Sequence, residues 1–132
     1  MEDFTPEQIT AITTRYRSMA RALNKFQVMR WPEFSHEQQL DLNAYQNSLL
    51  NRAQDMQTAA VRPAFKSTID MVNEIERAMQ DAEASLRHIQ NLTVALNVGA
   101  ITVALASYVA RANLRGIQTA LRELGELLGE EE

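Results

Sequence analysis

No cysteine occurs in the 132 residues, and that absence removes disulfides, thiolate metal sites and cysteine nucleophiles together. Histidine is nearly as scarce. His36 and His88 are the two present, and neither has a second ligand at metal spacing on its own helix face. Glu33 and His36 stand in the Glu-x-x-His order of di-iron bundles, but the four residues straddle a helix start and have no second copy with matching glutamates. The four glycines are scattered at 99, 116, 125 and 129, which leaves no glycine-rich loop to cradle a phosphate. Carboxylates such as Glu74, Glu76, Asp81 and Glu83 flank arginines on a polar helix face, where solvation and i,i+4 pairing account for them without acid–base catalysis. No catalytic, cofactor-binding or metal-ligating residue is expected, and the chain reads as a non-enzyme.

Charge of one sign is missing as well: 13 basic residues stand against 17 acidic ones, for a net charge of −4. Such a balance gives no field that draws a protein onto nucleic acid, so neither DNA nor RNA is expected as a partner. The start, Met1-Glu2-Asp3-Phe4, lacks the basic residues and apolar run of a secretory signal. A cytoplasmic or membrane-associated protein is the expectation.

The residues present spell helices throughout. Thr5-Pro6-Glu7-Gln8 is a helix start in which Thr5 caps, Pro6 takes the first turn and Gln8 closes a capping box. From it Ile9, Ile12, Tyr16, Met19, Leu23 and Phe26 recur at spacings of three and four, as in a coiled coil. Trp31-Pro32 ends this first helix at about residue 30. Ser35-His36-Glu37-Gln38 is a second capping box and predicts helix 2 over 36–61, with Leu42, Tyr45, Leu49, Ala53 and Met56 on one side. Pro63 then suggests a tight antiparallel turn. Helix 3 is expected over 64–97 and helix 4 over 100–128, broken at Asn97-Val98-Gly99, with one continuous rod as the alternative. The fold class is all-α: long amphipathic helices in a single helical domain, arranged as an antiparallel hairpin or bundle.

One segment departs from amphipathicity. Between Arg87 and Arg111 no side chain carries a formal charge, and residues 92–110 reach the mean hydropathy of membrane spans. Leu92, Val94, Leu96, Val98, Gly99, Ile101, Val103, Leu105 and Val109 lie on every face of a helix, whereas a surface helix keeps one polar side. In a small bundle such a helix would leave aliphatic side chains contiguous on the outside, and something must cover them. Two covers lead. The segment is buried in a homo-oligomer, its small residues Ala95, Gly99, Ala100, Ala104 and Ser107 letting helices approach; or it enters a bilayer as a single span, a pore-forming hairpin or a translocon-like element.

A second clue lies on helix 1. Arg17, Arg21 and Lys25 follow at four-residue steps opposite the apolar stripe, making a charged face that suits an anionic membrane or an acidic protein surface. Asp70, Glu74 and Asp81 of helix 3 are the in-chain partners such a face would have. The expected function is therefore non-enzymatic, through self-assembly or contact with a partner protein, and the alternative is membrane insertion by residues 92–110.

Overall fold

A computed structural model describes residues 1–131, and its architecture is all-α, with five helices packed against one another and almost no sheet. The capping signals act where they stand. Helix α1 (Pro6–Met29) starts with Thr5 Oγ1 accepting from Gln8 N at 3.1 Å and Gln8 Oε1 accepting from Thr5 N at 2.9 Å. Helix α2 (His36–Gln57) repeats the device with Ser35 and Gln38, at 3.2 and 2.8 Å. A 3-10 turn over Trp31–Glu33 joins them, and the side-chain pairs Arg17–Gln57, Asn24–Gln46 and Gln27–Gln39 run in opposite order along the two helices, which makes the pair an antiparallel hairpin.

The boundaries beyond this hairpin correct the expected ones. Helix α2 stops at Gln57 rather than 61, and the third helix, α3 (Thr68–Ser85), starts four residues after the expected position. Around Pro63, which is barred from a helix interior, Ala64–Phe65 forms a short strand, β2, antiparallel to β1 (Glu2–Asp3), with Glu2 opposite Phe65 and Asp3 opposite Ala64. The pair brings Phe4 against Phe65, ring centroids 5.4 Å apart.

The largest correction concerns the break within residues 64–128. It falls at residues 86–91, not at Asn97-Gly99, and helix α4 (Leu92–Ala110) runs unbroken through Gly99. Asn91 caps α4, its Oδ1 accepting from the backbone N–H of Thr93 (2.9 Å) and Val94 (3.3 Å). Gly99 serves packing rather than termination. A β-carbon there would lie 2.9 Å from Tyr45 Cδ2 and 3.3 Å from Leu23 Cδ2, so its absence lets α4 lie close to the α1–α2 hairpin. A second break at Arg111–Asn113 precedes α5 (Leu114–Glu131), where Asn113 Oδ1 accepts from Gly116 N at 3.0 Å.

Neighbouring helices close a ring: α1 against α2 and α3, α2 against α4, α4 against α5, and α5 back against α3. Each sends fully buried side chains to the centre, among them Tyr16 and Leu23 from α1, Leu42 and Leu49 from α2, Ile75 and Met79 from α3, Leu105 from α4 and Ile117 from α5. This order sets α1 across the core from the seam between α4 and α5.

Within the ring, α4 buries one arc: Ala95, Val98, Gly99, Thr102, Leu105, Ala106 and Val109. Leu92, Val94, Leu96, Ile101 and Val103 are half-buried on its flanks against the core. Its exposed residues are Thr93 and Asn97. The expected contiguous exposed aliphatic patch is therefore reduced on α4 to half-buried side chains, because α2 and α5 pack along its two flanks.

Candidate protein-interaction cleft

The outer side of α1 and the 86–91 connector enclose a cleft of about 650 Å³. Helical spacing builds one wall: Ser18, Arg21, Ala22, Lys25, Phe26 and Met29 succeed one another over three turns of α1. Opposite stand Glu83, Leu86, Arg87, Ile89 and Gln90, and Arg30 and Glu33 complete the lining. Phe26, Leu86 and Ile89 are buried and form an apolar floor, while Arg21, Lys25, Met29 and Arg87 are exposed along the rim.

The connector forming the second wall is held by one side chain. Arg30 donates through Nη1 to Ile89 O and through Nη2 to Gln90 O, each at 3.0 Å. The same guanidinium grips Glu33 through Nε and Nη2, both at 2.9 Å, and stands 5.2 Å from the centre of the Phe26 ring. A planar fork with five donors suits this double duty, which a lysine could not perform. The hydrogen bonds from Arg30 hold the Glu33 carboxyl below the ordinary carboxylate range, and those to Glu33 raise Arg30 further.

Charge on the cleft is unevenly compensated. Among the described residues the ion pairs are Arg30–Glu33 and Arg15–Glu83, the latter at 3.9 Å with Ser18 Oγ also donating to Glu83 at 2.7 Å. Arg21, Lys25 and Arg87 have no such partner. Of the basic stripe expected on α1, Arg21 and Lys25 thus come to the cleft, but Arg17 turns away to donate to Gln57 on α2. Among the described residues the in-chain pairing of this stripe with Asp70, Glu74 and Asp81 is not found; Glu74 and Asp81 line a hollow with Arg77 and with Leu121, Leu124 and Leu128 of α5 instead. Arg87 is the cleft residue that sequence reasoning assigned elsewhere, as a flank of the apolar segment.

Two further features surround the cleft. Along the α1–α2 seam, buried Gln27 donates through Nε2 to Gln39 Oε1 (2.6 Å) and Asn43 Oδ1 (3.1 Å) and accepts from Gln46 Nε2 (2.7 Å). Satisfied amides of this kind fix the register of a hairpin that apolar packing alone leaves loose. Across the molecule, a shallower hollow of about 300 Å³ lies between α4 and α5, lined by Asn97, Ala100, Ile101, Glu123, Glu126 and Leu127. It places the outward strip of α4, from the segment once expected to need a cover, beside two exposed glutamates.

Among the described residues no group of three histidine, cysteine or acidic side chains is arranged to hold a metal ion. Comparison of the chain with protein-family models, with curated proteins and with solved structures finds no match.

Proposed function

We propose that this protein is a non-catalytic interaction module whose cleft takes an acidic amphipathic helix from a protein partner. The observation that carries this reading is the cationic rim of Arg21, Lys25 and Arg87 around the apolar floor of Phe26, Leu86 and Ile89. Rim charge of one sign steers an oppositely charged partner, and a wall three turns long beside an apolar floor fits the apolar stripe of a docked helix. An open rim of exposed side chains favours a helix over a small molecule, which would be enclosed over most of its surface.

The test is fluorescence anisotropy with a labelled synthetic helix that carries glutamates on one face and leucines on the other. Binding is expected, weakening steeply with salt. Arg21→Glu with Lys25→Glu is expected to lower affinity about tenfold, since each rim contact contributes roughly 0.2–1 kcal/mol and reversal replaces attraction with repulsion. No binding at low salt, or binding indifferent to both changes, overturns the reading.

A second reading, insertion of α4 into a bilayer as a span or pore element, is supported by its 19 uncharged residues and by the burial of only 39% of its apolar window inside the fold. It requires α4 to leave α2 and α5. Retention in the pellet after alkaline carbonate extraction would support it, and complete release with no dye leakage from liposomes would count against it.

A further inference from the structure

Resting on that reading of the cleft, we infer that the acidic partner is a second copy of this chain, whose α4–α5 seam, with α5 as the acidic helix, seats against the α1 wall of the cleft in a head-to-tail contact. Three observations converge on it. The first is charge. The seam carries Glu123 and Glu126, exposed and without an ion-pair partner among the described residues, beside the uncharged strip of α4. Arg21 and Lys25 are one turn apart on α1, about 6 Å along the axis, and Glu123 and Glu126 about 4.5 Å apart on α5, so two pairs form at once.

The second is shape and polarity. The seam is a hollow in which the small side chain of Ala100 stands between Asn97 and Ile101 of α4 and Glu123, Glu126 and Leu127 of α5, and a hollow that opens beside a small residue admits the ridge of another helix. Ile101 and Leu127 line it, while Val28 and Met29 at the end of α1 are 60% and 72% exposed. Docking α1 there covers apolar surface on both copies, including what remains open on α4.

The third is placement. In the ring order α1–α2–α4–α5–α3, α1 lies opposite the α4–α5 seam. A donor face and an acceptor face on opposite sides cannot satisfy each other in a closed two-fold pair. The contact is heterologous and propagates as a chain of copies or closes as a ring.

Analytical ultracentrifugation of the full chain tests this directly. At low salt the weight-average mass is expected to rise with concentration beyond that of a dimer, and added salt is expected to reverse the rise. Arg21→Glu with Lys25→Glu, and separately Glu123→Lys with Glu126→Lys, are each expected to weaken association at least tenfold. Mixing the two variants restores complementary faces and is expected to restore association, a result that unfolding of either variant could not produce. A chain that stays monomeric to its solubility limit at low salt overturns the inference, and so does association untouched by both reversals. If the synthetic acidic helix still binds such a monomer in an Arg21- and Lys25-dependent way, the cleft reading survives and the second copy alone is ruled out. If it does not, both fall together.

Discussion

Two helices end on alanine where glycine is the residue that fits. After α2, the N–H of Ala60 bonds to Asp55 O (2.9 Å) and that of Ala59 to Met56 O (3.3 Å). After α4, Asn113 N–H bonds to Tyr108 O (2.9 Å) and Ala112 N–H to Val109 O (3.0 Å). Both patterns are Schellman motifs, whose hinge residue takes a left-handed backbone. Ala59 and Ala112 occupy those hinges with φ of 61° and 52°. A β-carbon in that conformation costs roughly 1–2 kcal/mol, whereas glycine loosens the unfolded chain by about 0.4–1 kcal/mol. Ala59→Gly is therefore expected to stabilise the fold by about 0.5–1 kcal/mol. At 112 the methyl group is half-buried against the core, and losing it returns up to about 0.8 kcal/mol, so the gain there is smaller.

Urea denaturation followed by circular dichroism measures both, with the midpoint rising and the slope unchanged. Ala44→Gly is the control, because Ala44 is exposed in the middle of α2 and the same change there costs about 1 kcal/mol of helix propensity. The reasoning fails if Ala59→Gly lowers the midpoint as Ala44→Gly does. That result would mean the hinge strain is smaller than the entropy glycine adds.

Tyr16→Phe is expected to stabilise by about 1 kcal/mol, because the Tyr16 hydroxyl is fully buried with no hydrogen-bonding partner among the described residues. Burial holds the Tyr16 phenol above its ordinary value, against the opposing pull of Arg52. Wild-type stability therefore falls as the pH rises past about 10, where the unfolded chain begins to ionise this tyrosine; a variant with the same alkaline slope contradicts the assignment. Gly116→Ala is expected to destabilise by about 1–2 kcal/mol despite its better helix propensity, since the new β-carbon would meet the Tyr108 ring; a raised urea midpoint would show that Tyr108 moves aside freely. Glu33→Gln is expected to flatten the acid limb of the stability profile. Its lowered carboxyl contributes fully above the ordinary glutamate range, and the contribution is lost as pH falls through its folded value.

How far the sequence was legible depends on whether a signal is local. Thr5 with Gln8 and Ser35 with Gln38 act within one turn, and both helix starts were readable from them. The break at 86–91 was not, because Leu86 and Ile89 are apolar and the segment is held by Arg30, 59 residues from Ile89 and 60 from Gln90. Gly99 misled for a related reason: its function is to meet Leu23 and Tyr45, and sequence alone does not distinguish a glycine that packs from one that stops a helix. Periodicity put Arg17, Arg21 and Lys25 on one face, but which neighbours flank that face decides that Arg17 leaves it for Gln57. Arg87 joins the cleft through tertiary structure alone.

The same distinction between composition and position bears on what covers α4, and Asn97→Asp separates the readings. Averaged over its length α4 has the hydropathy of a span, yet its polar residues are not equivalent. Thr102 is buried and bonds to Gly99 O at 2.8 Å, a contact that would survive in lipid. Asn97 is exposed and lines the hollow with Glu123 and Glu126. Replacing its amide by a carboxylate of the same shape at a solvated site should change stability by less than about 0.5 kcal/mol. In a bilayer the same charge costs several kcal/mol, so insertion by α4 predicts that carbonate-resistant pelleting is lost. Docking of a basic α1 into the acidic seam predicts the opposite direction of change: a third negative charge in the hollow tightens salt-sensitive association about two- to fivefold, equivalent to a single partly screened pair of roughly 0.5–1 kcal/mol. Sedimentation of the wild type and Asn97→Asp side by side at two salt concentrations reads this difference. Weaker association of the variant at low salt would place the carboxylate against like charge and refute the docking of α1 on this seam.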